Sequence, residues 1–248
     1  MFPVTVLSQG AGFVALVVAV LVHGHIGERS FLLGLLAGVG GGAGLAAFYQ
    51  ALALGTMSIV SPIVACGAVV PFALSLATGE RPAGFAVVGA VVALGGAILA
   101  SVEERKSASA ARTQAIALAF IAAIVLGLFV YFLGLGSREG DVVSTLFGAR
   151  VGSLTLLIAL SLVSRAPLTV PRHWLLPVFA VGLADVTANA LFAFASTHGL
   201  LALVSVLGSL YPVMTVLLAH VVLGERLTRP QQLGIAAAIA GVAAIAAA

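Results

Sequence analysis

Asp185 and Asn189 stand four residues apart in Trp174–Ser196, a mostly apolar run. On a helix that spacing puts the carboxyl and the amide on one face, with Thr187 off to the side. Arg150 lies eight residues inside a second apolar run, Val142–Val163. An acid and a base this far from polar flanks could anchor a charged solute, carry a proton, or neutralise each other, since burying either alone is much worse than burying the pair. The plain alternatives are an Asp that is protonated glue between helices and an Arg that snorkels to the membrane interface. Tyr49 and Gln50 in Phe31–Leu54, and Ser205, Ser209 and Tyr211 in Leu200–Leu223, are the other polar groups well inside apolar runs. Singly each reads as packing; together they read as the lining of a cavity.

The surroundings of these groups are those of a membrane protein. Of 248 residues 62% are hydrophobic and 8% charged, and mean hydropathy is +1.24, against roughly 25% charged in a soluble domain. The apolar runs are 17 to 24 residues long and lack strict alternation, so they are helices rather than barrel strands, which need only ~10 alternating residues. Nine spans follow: Pro3–Val22, Phe31–Leu54, Ile59–Ala77, Phe85–Val102, Ala115–Leu135, Val142–Val163, Trp174–Ser196, Leu200–Leu223 and Gln231–Ala247. Asp185 is the midpoint of the seventh, near the bilayer midplane, where an Asp costs roughly 2.5 to 3.5 kcal/mol and should face a cavity or a partner.

The spans repeat. Gly79-Glu80-Arg81 followed by Gly89 and Gly96 recurs as Gly224-Glu225-Arg226 followed by Gly234 and Gly241, five identities at one offset of 145 residues. Spans three and four thus match spans eight and nine. Matching members are five apart, an odd number, so the halves cross the membrane in opposite directions. The expected fold is all-α, a polytopic membrane helix bundle of two inverted-topology repeats, residues 1–102 with four spans and residues 115–248 with five. The fifth span would have its partner before Met1, so the ruler expects the first helix of a ten-helix fold to be missing. Pro62 and Pro71 in span three and Pro212 in span eight predict broken helices in both halves, with Pro71 and Pro212 about one turn out of register.

Nine spans in two related halves, Tyr211-Pro212 within a run that ends Leu223-Gly224-Glu225-Arg226-Leu227, and Gln232, Gly234 and Gly241 in the last helix resemble the drug/metabolite transporter superfamily, EamA type. Ala149-Arg150 resembles the arginine that members often carry at the matching helix of each half; the equivalent place in span one, near Ser8-Gln9, has none. The resemblance covers essentially the whole chain. It implies ten helices, a central cavity between the halves and movement of a small metabolite without ATP. On that reading the substrate-binding residues are Asp185, Asn189, Arg150, Tyr49, Gln50, Ser209 and Tyr211. The partners are the lipid bilayer and a small-molecule substrate, an amino-acid-like or drug-like solute, and the place is the cell (plasma or inner) membrane. A non-transporting scaffold, or a truncated inactive transporter, is the rival reading.

The remaining features are expected to be structural. Gly34, Gly38 and Gly42 are four apart and form a smooth face on span two, with Gly40 and Gly44 beside them, while Gly89/Gly96 and Gly234/Gly241 are seven apart and suit tight packing within each half or at a homodimer seam. Glu80 and Glu225, beside Arg81 and Arg226, read as solvated interfacial pairs. There is no HExxH and no GxSxG, and the histidines, His23, His25, His173, His198 and His220, are scattered and mostly at span ends, so neither an enzyme, a metal site nor a cofactor is expected. The lone Cys66 reads as a small packed residue. The loops after spans four, six and eight carry Arg105, Lys106, Arg112, Arg165, Arg172, Arg226 and Arg229, whereas the opposite set carries Arg29, Arg81 and Arg138, which puts Met1 in the cytoplasm. The positives are scattered through short loops, so no nucleic acid partner is expected.

Overall fold

The structure, a computed structural model, describes residues 2–55, 57–101, 113–163, 171–224 and 227–248. Each of the nine apolar runs is helical: α1 (Phe2–His23), α2 (Glu28–Leu54), α3 (Met57–Ala65) with α4 (Val69–Ala77), α5 (Gly84–Ala100), α6 (Thr113–Glu139), α7 (Val142–Val163), α8 (Leu175–His198), α9 (Leu201–Gly208) with α10 (Tyr211–Leu223), and α11 (Arg229–Ala246). No strand occurs among the described residues. Seven stretches of these are long and apolar enough to cross a membrane; α5, with 17 residues, and α11 complete the set of nine expected spans. The chain is therefore an all-helical, multi-pass membrane bundle.

Local chemistry sets where the helices start and stop. Asp141 caps α7: its carboxylate accepts from the Ser144 amide at 2.7 Å, the Ser144 hydroxyl at 2.5 Å and the Val143 amide at 3.3 Å. Burial pulls the Asp141 pKa upward, but these hydrogen bonds and nearby His23 outweigh it and hold the carboxyl below its usual range. Helix α11 opens with a capping box between Thr228 and Gln231 and a proline in its first turn. Gly24, Gly79 and Gly224 end their helices with φ of 81°, 106° and 69°, a left-handed turn that suits glycine. The recurrence of Gly79 and Gly224 in the repeat is thus explained by a shared helix stop.

Spans three and eight are each broken in two. A single 3-10 turn, Cys66–Ala68, separates α3 from α4, and Ser209-Leu210 separates α9 from α10. Pro71 and Pro212 lie in the first turns of α4 and α10, where a missing N–H removes no helical bond. The two breaks therefore fall within a few residues of each other at the repeat offset, closer than the prolines themselves.

The chain divides into two compact units, Met1–Ala43 with Leu128–His198, and Gly44–Gly127 with Gly199–Ala248, so each unit takes helices from both halves of the sequence. In the first unit the core is Leu16, Ala37, Leu133, Leu146, Ala149, Val186 and Ala193. The glycine face of α2 meets α7 here, as expected of a smooth face: a Cβ on Gly34 or Gly38 would run into the Thr145 or Ala149 main chain. Gly152 of α7 answers from the other side, 2.5 Å from the Leu35 carbonyl by the same measure.

In the second unit, Ala51, Val60, Val64, Ala119 and Ala122 form one core cluster, and Ala68, Phe72, Ala90, Ala93, Leu94, Ala202 and Val206 another. A close contact here corrects the expectation that the remaining glycines pack within each half. The two pairs pack on each other, α5 against α11. A Cβ on Gly96 would sit 2.6 Å from the Gly234 carbonyl oxygen, and one on Gly234 2.7 Å from that of Gly96; for Gly89 and Gly241 the values are 2.8 and 2.5 Å. Glu80 has a role beyond the expected interfacial pairing. Its carboxylate accepts from the Leu201 and Ala202 amides at 2.8 Å each, capping α9 at the start of the second half's broken span. Glu225 and Arg226 lie outside the described residues.

Candidate functional site

The site lies in the first unit, where α1, α7 and α8 meet. Arg150 is 5% exposed although it projects from the middle of α7. Its guanidinium donates to Asp185 Oδ2 of α8 at 2.9 Å and to Gln9 Oε1 of α1. Ser153, one turn along α7, donates to the same Gln9 oxygen at 3.2 Å. Snorkelling is excluded by this burial: the fork of donors is used inside the bundle, on an acid and an amide.

Two glycines make the room. A Cβ on Gly12 of α1 would overlap Val186 of α8 and come 3.3 Å from Arg150 Cζ, and one on Gly182 of α8 would overlap the Ser8 carbonyl of α1. Backbone thus meets backbone at Gly12 and Gly182, and the guanidinium fills the space beside the contact. The pair is asymmetric. The Arg150 side chain is 6% exposed and that of Asp185 45%, so the acid is the more open member of the pair.

Asn189 shares its helix with Asp185, but its side-chain amide donates to the Asp185 main-chain carbonyl at 2.9 Å, and Thr187 likewise turns back on the Leu183 carbonyl. The other residues expected to bind a solute belong to the second unit. The Tyr49 ring is tilted against that of Phe48, 5.7 Å between ring centres, and Gln50 is exposed. Ser209 donates to the Ser205 carbonyl at 2.6 Å, closing the last turn before the break. Tyr211, 56% exposed, lines a cavity of about 200 Å³ with Ser61, Ser101, Pro212, Thr215 and Gln231. Sequence reasoning brought Arg150 to Asp185; it left out Gln9, Ser153 and the Gly12/Gly182 contact. The signal for Gln9 was present, because the family resemblance puts the first-half counterpart of Ala149-Arg150 near Ser8-Gln9. An amide there accepts from the arginine that a second arginine would repel.

Long apolar helices that hold an arginine–aspartate pair within their length, two of the spans being broken, define an integral, multi-pass membrane protein with polar groups inside its bundle. Residues 113–247 match the EamA-like transporter family, and the chain belongs to that family, a branch of the drug/metabolite transporter superfamily. A solved crystal structure is similar to 99% of this chain and 88% of its own, with a TM-score of 0.80 and 20% sequence identity; at that identity the likeness concerns the fold. A search of curated proteins found no match.

Proposed function

We propose that this chain is a secondary transporter of the cell membrane that moves a small amino-acid-like or drug-like solute by alternating access, without ATP, and that Arg150 and Asp185 are its solute and coupling centre. The observation that carries this reading is the asymmetric pair: an arginine 5% exposed and held by Gln9 and Asp185, next to a carboxylate that is half open. An intramembrane pair of this kind is costly and by default marks a functional site. A solute carboxylate can take the guanidinium from Asp185, and Asp185 is then neutralised by a proton or by the solute's own cationic group. Each exchange keeps the charges paired while the cavity changes its opening. The two halves, 1–102 and 115–248, are read as inverted repeats, and the paired breaks in spans three and eight support that reading. Asn189, Tyr49, Gln50, Ser209 and Tyr211 are assigned to the lining of the path.

The test is uptake in sealed vesicles reconstituted with the purified chain, using a panel of labelled amino acids, with and without an imposed pH gradient and without ATP. The reading expects saturable, protein-dependent uptake of at least one solute that responds to the gradient. Vesicles no leakier than empty ones across the panel, with protein that is folded, favour the non-transporting scaffold.

A further inference from the structure

The end of α1 carries a cluster that the transport reading does not use. His23 closes the helix, Gly24 turns the chain with φ 81° while its amide reaches the Val20 carbonyl at 2.9 Å, and His25 follows. The left-handed turn folds His25 back beside His23, with ring centres 4.2 Å apart. Asp141, the cap of α7, meets them: its Oδ1 is 3.1 Å from His23 Nε2. One ligand atom from each of the three residues lies within 4.8 Å of the others.

We propose that His23, His25 and Asp141 form a binding site for a divalent transition-metal ion of the zinc class. Two imidazoles and one carboxylate are a donor set that suits zinc and its neighbours, with a fourth position left for water. At metal–ligand bonds of about 2.0 to 2.1 Å, tetrahedral donors stand about 3.3 Å apart. The His23–Asp141 separation of 3.1 Å is already close to that, so the site closes by a modest swing of the exposed His25 ring. The carboxylate is aimed in advance: the Ser144 amide and hydroxyl hold Oδ2, which leaves Oδ1 turned to the histidines. Such outer hydrogen bonds commonly fix the ligands of metal sites. Nearby Arg29 is paired with Glu139 at 2.6 Å, so its charge is balanced beside the site. The sequence missed the cluster because Asp141 is far from the histidines along the chain. A metal here ties the end of α1 to the turn between α6 and α7, on the side that the positive-inside count places away from the cytoplasm.

The experiment is calorimetric titration of ZnCl2 and, separately, MgCl2 into the detergent-purified chain carrying no histidine tag, with thermal unfolding run in parallel. The expected result is one Zn2+ per chain with a rise in Tm, at least about tenfold weaker binding in His25→Ala and in Asp141→Asn, and no saturable Mg2+ binding, because Mg2+ prefers oxygen ligands. Asp141→Asn keeps a cap for α7, and His25 is exposed, so both variants are expected to fold. The proposal is overturned if wild type takes up no Zn2+ to saturation, if Mg2+ binds equally well, or if His23→Ala/His25→Ala binds Zn2+ as wild type does, which would assign the metal to His173, His198 or His220.

Discussion

Glycine brings helices together in both units, yet the two contacts hold different things. At the α5–α11 seam of the second unit, Gly89, Gly96, Gly234 and Gly241 let main chain meet main chain, and the other buried residues of the two helices are Ala, Leu and Ile. At the α1–α8 contact of the first unit, Gly12 and Gly182 do the same, but a guanidinium from α7 lies beside them. The first arrangement maximises van der Waals contact, the main source of helix association where lipid removes the hydrophobic drive. The second gives up some of that contact to hold a charge. Small residues at helical spacing therefore mark close approach in both places, and only the neighbour's side chain distinguishes a packing seam from a site.

The comparison is broken most forcefully at Asp185. Asp185→Ala strands a guanidinium that is 5% exposed, with Gln9 as its remaining acceptor, and should cost about 3 to 5 kcal/mol in unfolding measurements in detergent. Arg150→Met leaves the more exposed partner behind and should cost less. Unchanged stability in Asp185→Ala would make the first unit a packing contact like the second. Next comes the seam itself. Gly96→Ala puts a methyl into the Gly234 main chain and should lose about 1 to 3 kcal/mol, whereas Gly95→Ala, which meets nothing within 4 Å, should be neutral or gain up to about 1 kcal/mol from helix propensity. Equal effects at the two positions would contradict the seam. The smallest effect is at a helix end of the second unit: Glu80→Gln keeps the size of the α9 cap but only one of its two accepting oxygens, removes its charge, and should cost about 1 kcal/mol.

The spans and the candidate pair were legible in the sequence because they depend on run length and the cost of a charge in lipid. Val142–Val163 has the same limits in sequence and structure, and Asp185 and Arg150 have each other as partners. Partner choice between distant helices was not legible. Nothing in local periodicity says that Gly96 meets Gly234, that Glu80 caps a helix 121 residues away, or that each unit draws on both halves. The breaks in spans three and eight were legible as existing, through Pro71 and Pro212, but lie a few residues ahead of them, because each of these prolines opens the following helix, while Pro62 sits inside α3 without ending it.

The central claim, that the Arg150–Asp185 pair is where transport is coupled, is tested most directly by Asp185→Asn in sealed vesicles, with uptake measured across a range of pH for the solute that wild type carries. Asn keeps the size and a hydrogen-bond acceptor for Arg150 and removes the charge. The account predicts folded protein whose uptake is abolished or strongly slowed, with any residual rate nearly independent of pH. Near-normal uptake with the wild-type pH profile would contradict it and leave Asp185 as glue between helices.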